Sequence, residues 1–339
     1  MKDILSLDLD ELRRGIISFG EKDYRANQIF KWVYAKRVLD FSEMTDLPMN
    51  LRNKLGSLFR FTTMKEVERQ ISIDGTEKFL LKLEDDNHIE TVVLKHPRHI
   101  TFCISSQVGC ALNCSFCATG ASGFTRDLSA SEIVSQVILM ENSIGRPVDN
   151  IVFMGMGEPF LNEANVYKAI KILHDPVGRN LGIRHFTIST AGIPEGIKRL
   201  ADSGMDVRLS VSLHSASEET RSSLMPINKK YPLDSLRKVL DYYQQKTGNR
   251  ITFEYALIKG VNDSTEDLTK LGEFLTGIKS FVNIIPVNPV KPVFDRPSDK
   301  EIAVFSESLK KAGFECAVRH EKGTDIDAAC GQLRQKRRE

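Results

Sequence analysis

Apolar residues recur every three to four positions through Leu7–Phe19, Arg25–Arg37 and Asn50–Phe59, so residues 1 to about 62 are predicted to be helical. The period changes between about Thr63 and Leu94. There Phe79–Leu83 and Ile89–Val93 flank Asp85-Asp86-Asn87, the pattern of a β-hairpin. From Thr101 onward strand-like and helix-like patterns alternate. The predicted strands are Thr101–Ser106, Asn150–Met156, His185–Ala191, Val207–Leu213, Ile251–Ile258 and Phe281–Val287, with Phe314–His320 as a seventh candidate. Helical patterns between them include Ser131–Asn142, Ile193–Ala201, Leu233–Gln245 and Thr265–Gly277. Such alternation predicts an α/β fold on a parallel sheet, open or closed into a partial barrel. Residues 1–98 are expected to form an accessory domain and residues 99–339 the α/β body.

In parallel α/β folds reactive groups gather at the carboxyl ends of the strands. Polar and glycine residues stand at those ends here. Gly155-Met156-Gly157-Glu158-Pro159 closes the second strand, Ser189-Thr190 the third and Ser212-Leu213-His214 the fourth; Asn288 closes the last of the six. Each alone reads equally well as an ordinary loop residue. Together at one end they mark a ligand site.

The loop after the first strand carries Cys110, Cys114 and Cys117 in a Cys-x3-Cys-x2-Cys spacing. Structural zinc sites use four ligands, commonly two pairs, and no second pair follows. Three thiolates suit an iron–sulfur cube whose fourth iron stays open to bind another molecule. Zinc remains the competing reading of these residues. Lys plus Arg is 47 against 45 for Asp plus Glu, so net charge neither requires nor excludes a nucleic-acid partner. No apolar run approaches a membrane span, the N-terminal residues are too charged for a signal peptide, and six cysteines do not make a disulfide framework. A reduced cytoplasmic setting is expected.

Two further features invite chemistry. Cys330 lies in the polar stretch Gly323–Leu333, where a small buried thiol is the plainer reading. Lys22–Arg37 holds five basic residues with Tyr24, Phe30, Trp32 and Tyr34 between them. That composition suits phosphate contacts and base stacking, or an ordinary amphipathic helix. The basic cluster Arg334–Arg338 reads as a frayed end.

These motifs together resemble the RlmN/Cfr family of radical S-adenosylmethionine (SAM) RNA methyltransferases. The resemblance is carried by Cys103–Cys110, the three-cysteine loop, Phe153–Pro159, Ile188–Gly192, Ser212–His214, Leu224–Asn228, Gly260–Asp263, Asp325–Leu333 and Asp23–Trp32. It implies a partial (β/α)6 barrel with an N-terminal accessory domain of helices plus a β-hairpin that binds RNA. Cys110, Cys114 and Cys117 would hold a [4Fe–4S] cluster. Gly157, Glu158, Ser189, Ser212, Leu213, His214 and Asn288 would bind SAM, with Glu158 taking the ammonium. The implied reaction is methylation at C2 of adenosine 2503 in 23S rRNA and of adenosine 37 in tRNAs, using two SAM molecules per turnover. One SAM methylates Cys330. A 5′-deoxyadenosyl radical from the second takes hydrogen from that methyl group, and the resulting methylene radical adds to the base. Cys103 then forms a disulfide with Cys330 to release product, and Glu90 serves as proton acceptor. The bland reading of Glu90, a solvated strand acid, is the lesser one. The same resemblance implies an electron donor such as flavodoxin or ferredoxin, a monomer, and no membrane partner. C8 methylation of the same rRNA adenosine is the alternative within the family; a non-catalytic iron–sulfur or zinc RNA-binding protein is the alternative outside it.

Overall fold

A computed structural model describes residues 1–288, 294–319 and 321–333. Its centre is one ten-stranded sheet: β1 Lys65–Ile71, β2 Glu77–Lys82, β3 His88–Lys95, β4 Ile100–Cys103, β5 Asn150–Phe153, β6 Phe186–Thr190, β7 Arg208–Ser212, β8 Ile251–Leu257, β9 Ser280–Pro286 and β10 Cys316–Val318. The strands lie side by side in strict chain order. β1 to β4 pair antiparallel, and β4 to β10 pair parallel. The two outer strands, β10 and β1, are not paired with each other, so the parallel part is a barrel left open.

Parallel pairing demands crossovers, and the sequence supplies helices Ala130–Ile144, Glu163–His174, Pro194–Asp202, Leu233–Thr247, Thr265–Leu275 and Asp299–Lys311. Three of them begin with a reciprocal capping box, Ser129 with Glu132, Ser264 with Asp267 and Ser298 with Glu301, which satisfies amide donors that a helix start leaves orphaned. Gly145 and Gly248 end two helices in the left-handed region. One apolar core runs from the barrel interior out under these helices and into the N-terminal helices.

The three N-terminal helices are Leu9–Ser18, Tyr24–Phe30, which continues through a wider turn over Lys31–Ala35, and Met49–Leu58. They dock on the outer helices through Lys168 with Glu11 and Lys171 with Asp8, each at 2.8 Å. Of the four aromatics interleaved with basic residues, Phe30 and Tyr34 are buried in the core. Only Tyr24 is well exposed, while Trp32 is half-covered, with the Lys36 ammonium over its ring. Half of the expected stacking surface is therefore core packing, as helical periodicity requires.

The hairpin predicted around Asp85–Asn87 is present as β2 and β3, and Val92 of β3 stands opposite Cys103 of β4. The hairpin thus continues the barrel sheet across residue 98. β1 has no counterpart in the sequence reading. Its residues Lys-Glu-Val-Glu-Arg-Gln-Ile are mostly exposed, so an edge strand leaves no apolar alternation to detect. The first parallel strand ends at Cys103 rather than Ser106, because the chain turns there into a short antiparallel ribbon, Gln107–Gly109 with Phe124–Asp127, that brackets the cysteine loop. The seventh candidate strand is β10, with His320 outside the described residues, as is the basic tail Arg334–Arg338.

The segment after β10 returns to the opposite edge of the sheet. Asp325 accepts from the Ser72 hydroxyl at 2.6 Å and from the Ile73 amide at 3.2 Å. Gly323 donates its amide to Asp74 at 3.0 Å, and Lys78 donates to the Asp327 carbonyl at 3.2 Å. Although partial burial pushes the Asp74 carboxyl up, donors from Thr76, Gly323 and Ser72 hold it down at about 2. On the other side Gly331 accepts from the Ala118 amide at 2.7 Å and Leu333 from the Thr119 hydroxyl at 2.5 Å. The loop carrying Cys330 is therefore clasped between the β1–β2 turn and the helix that follows the three cysteines.

Asp325→Ala removes two of these bonds at an exposed position. Hydrogen exchange at the Gly323 and Ala328 amides should accelerate, while the melting temperature falls by less than about 3 °C. An unchanged exchange profile would show that the clasp does not depend on Asp325.

Candidate active site

The carboxyl ends of β4 to β9 open into one cavity lined by Cys110, Cys114, Cys117, Gly157, Glu158, Ser189, Ser212, His214, Asn288 and Cys330, among others. Ten of the residues singled out from the sequence thus face one space. A second cavity adjoins it; Cys103, Val92 and Arg319 line it, and Cys117, Cys330 and Asn288 stand in both walls. Cys330 therefore belongs to the partition between the three-cysteine loop and Cys103.

Two predicted residues lie outside these walls. Leu213 is fully buried in the core, and its backbone N–H donates to the Glu254 carbonyl at 3.0 Å. Glu90 is buried on β3, with the Lys78 ammonium 3.3 Å from its carboxylate. It shares a strand face with Val92, two residues on, which does line the second cavity. The same Lys78 reaches the Asp327 carbonyl, so Glu90 is tied to the Cys330 loop through one buried cation.

The turn after β5 is shaped by space. A Cβ on Gly155 would sit 2.7 Å from the Ile104 carbonyl, and one on Gly157 would sit 2.5 Å from the Gln107 side chain. Gly157 also has φ +101°, a conformation other residues resist. This close approach lets Gln107 accept from the Glu158 amide at 2.8 Å. The Glu158 carboxylate in turn accepts from the Ala191 amide at 2.7 Å and the Phe160 amide at 3.1 Å. Burial raises its pKa to about 7, against the lowering effect of those donors. A buried carboxylate of this kind favours an incoming cation strongly, since pairing offsets the cost of desolvation.

His214 is buried in the left-handed region, at φ 57°. Its Nδ1 accepts from the Ala256 amide at 2.9 Å, which leaves the proton on Nε2. Burial, helped by the nearby Arg221 cation, lowers its pKa to about 3, so the ring is a neutral donor at physiological pH.

Sequence reasoning missed Arg221, Gln107, Glu254 and Arg319. Arg221 is 1 % exposed and donates to the carbonyls of Ala191 at 2.7 Å, Leu213 at 3.1 Å and Ser212 at 3.3 Å, and to the Asn228 side chain. It ties the ends of β6 and β7 together. An arginine on a short helix carries no sequence signal of such burial, beyond its nearness to Leu224–Asn228.

Three free thiols facing one cavity suit a cluster. A single ion needs its ligands about 2.3 Å from one point, and among the described residues no three His, Cys, Asp or Glu side chains gather that way. A cluster bound through one thiolate per iron spreads its ligands over several metal atoms, so sulfurs that face one space without meeting at one point suit it better than they suit a single ion. Burial pushes the Cys110 thiol up to about 12 and raises Cys114 further, so both need a bound metal to ionise.

A profile described as the radical SAM superfamily matches residues 104–272, and one described as the ribosomal RNA large subunit methyltransferase N-terminal domain matches residues 2–60. The chain is 50 % identical over 339 residues to a Thermotoga neapolitana protein named probable dual-specificity RNA methyltransferase RlmN, covering 100 % of this chain and 99 % of that one. A Thermotoga maritima protein of the same name is 49 % identical, with 99 % and 98 % covered. The crystal structure of a radical SAM methyltransferase from Sphaerobacter thermophilus superposes with a TM-score of 0.95 at 43 % identity, covering 99 % of this chain and 100 % of that one.

The raised Glu158 value sets a pH test. The carboxyl is protonated below about 7, and only its ionised form pairs with an ammonium. SAM affinity should rise roughly tenfold from pH 6 to pH 8 and stay flat in Glu158→Gln. Because the folded value lies above the ordinary one, the ligand-free protein loses stability as pH climbs from about 4.5 through 7, and Glu158→Gln removes that loss. Titration calorimetry and thermal melts read the two effects separately.

Proposed function

The chain belongs to the RlmN family of radical SAM RNA methyltransferases, and from that premise we propose that it methylates C2 of adenosine 2503 in 23S rRNA and of adenosine 37 in tRNAs. The observation that supports this most is the position of Cys330 in the partition between two cavities, one walled by the three-cysteine loop and Glu158, the other by Cys103. Binding alone asks for neither thiol there.

Cys110, Cys114 and Cys117 would hold a [4Fe–4S] cluster. When bound, it supplies the electron that cleaves SAM and so the power to abstract a hydrogen atom. Glu158 takes the ammonium of SAM, while Ser189, Ser212, His214 and Asn288 orient its polar groups; the neutral His214 donates from Nε2. Gly157 lets the backbone approach. Leu213 holds the end of β7 against β8, so its contribution is through the backbone.

Cys330 accepts a methyl group as a thiolate, for which one SAM would be consumed, and that methyl group then gives up a hydrogen atom, for which a second would be consumed. The carbon so formed on the Cys330 sulfur adds to C2 of the base and tethers RNA to protein. Glu90 accepts the proton that leaves C2, and the adduct radical gives up its unpaired electron, which would return to the cluster, so that the ring is closed-shell again. The Cys103 thiolate then attacks the Cys330 sulfur; the S–C bond breaks with its electron pair passing to the methylene carbon and the ring, that carbon takes up a proton to become the methyl group, and a Cys103–Cys330 disulfide remains. An external donor such as flavodoxin or ferredoxin supplies the electrons. Burial, then Cys330, raise the Cys103 thiol to about 12, so this second thiol stays unreactive until the site is engaged. Residues 1–98 bind RNA beside the barrel body of residues 99–339, and the enzyme works as a cytoplasmic monomer. No helix among the described residues is long and apolar enough to cross a membrane.

Anaerobically reconstituted protein should carry about four iron and four sulfide per chain, and replacing Cys110, Cys114 or Cys117 with Ala should abolish SAM cleavage. Stoichiometric zinc without iron uptake would end this reading. Digested RNA should yield 2-methyladenosine; the 8-methyl isomer alone would assign the C8 reaction instead. Cys103→Ala should accumulate a nuclease-sensitive protein–RNA adduct, and Cys330→Ala should form neither adduct nor product.

A further inference from the structure

One row of side chains crosses the antiparallel part of the sheet toward the second cavity. Lys78 on β2 stands opposite Val92 on β3, and Val92 stands opposite Cys103 on β4. Residues directly opposite each other share a face of the sheet. Glu90, two residues before Val92, shares it too. Val92 and Cys103 line the second cavity, which Cys330 also walls. Lys78 is 3 % exposed and Glu90 2 %. The Lys78 ammonium lies 3.3 Å from the Glu90 carboxylate. It also donates at 3.2 Å to the carbonyl of Asp327, three residues before Cys330.

The main chain of Glu90 is fixed independently. Its carbonyl accepts from the Ser105 hydroxyl at 2.7 Å, and its amide donates to the Met156 sulfur at 3.3 Å. Ser105 follows Cys103 by two residues, and Met156 precedes Glu158 by two. With the backbone held, the charge and direction of the carboxylate are left to be set, and Lys78 bears on both. A carboxyl buried without a cation tends to keep its proton, and a protonated carboxyl cannot take up another. An adjacent ammonium favours the ionised form and fixes where it points. Stability alone does not account for the pair, because desolvation offsets much of the attraction and well-packed apolar side chains serve as well.

Resting on the function proposed above, we infer that Lys78 is the positioning residue for proton removal from C2: it keeps Glu90 ionised and holds it in register with the Cys330 loop. In that step the C2–H bond breaks, its electron pair stays with the ring, and an O–H bond forms on Glu90. The carbon on Cys330 and the carboxylate must act on the same atom of the base. One ammonium bound to both the carboxylate and the Asp327 carbonyl fixes the two relative to each other, which is what such a step requires.

The test is single-turnover adduct formation in the Cys103→Ala background, on full-length protein whose iron content and Cys330 S-methylation have first been measured by mass spectrometry. The RNA carries adenosine or 2-deuterioadenosine at the target. Normalised to methylated Cys330, Lys78→Met should slow adduct formation about a hundredfold. Its isotope effect should exceed that of the Lys78 form, because proton removal becomes the slow step. Lys78→Arg, which keeps a cation, should recover most of the rate. In a Glu90→Gln background, Lys78→Met should cost nothing further. That double variant buries no unpaired charge, so it and Lys78→Arg carry the test if Lys78→Met alone does not fold. Equal rates with and without Lys78 would overturn the inference. So would slowing with an unchanged isotope effect, which would assign Lys78 to the loop alone, or a double variant slower than Glu90→Gln. No adduct from Cys103→Ala itself, or an unchanged rate in Glu90→Gln, would instead refute the reaction on which the inference rests.

Discussion

The site depends on one return of the chain: the segment after β10 crosses from one edge of the open sheet to the other and is pinned there. Cys103 and Cys330 are more than two hundred residues apart in sequence, and nothing local brings them together. What does is a set of ordinary hydrogen bonds, from Ser72, Ile73 and Asp74 on one side and from Ala118 and Thr119 on the other. Each is worth about a kilocalorie or so. Their value is geometric, since they fix a sulfur in the partition between two cavities. Lys78 adds a second tie, because one ammonium serves both Glu90 and the Asp327 carbonyl.

Behind that partition the strand ends are held by buried polar groups rather than by packing alone. Arg221 gathers three carbonyls from the ends of β6 and β7, and Gln107 joins the cysteine-loop ribbon to the Glu158 turn. Such networks are stable only when their members are satisfied, and they then specify one arrangement. Unsatisfied side-chain atoms among the described residues include ones on Glu254 and Asn288, which line the first cavity, and on Glu321, which lines the second.

Much of this was legible in the sequence, for identifiable reasons. Strand–helix alternation announced the parallel sheet because buried parallel strands read as apolar runs. The ends of those strands could be read in turn, because glycine and polar residues interrupt the runs. The family resemblance added the roles of Cys330 and Cys103, and the relatives at 50 % and 49 % identity bear out that family. β1 stayed hidden because an edge strand with charged residues on both faces has no period. The basic aromatic segment was over-read: Phe30 and Tyr34 belong to the core, a distinction that composition cannot make. Arg221, Glu254 and Arg319 were missed because burial of a charged residue is decided by distant partners.

The strict chain order of the sheet has a consequence for how the protein is made. Each strand emerging from the ribosome finds its partner already formed at the growing edge, so the sheet can assemble by successive addition without waiting for a distant segment. The three cysteines belong to the early part of that sequence, and Cys330 to its close. Synthesis itself therefore separates the two chemistries in time. A chain still on the ribosome can form the three-cysteine loop and the Glu158 turn before it holds Cys330, which closes the cavity last; on the reaction proposed above, the covalent step waits until translation has passed the final strand.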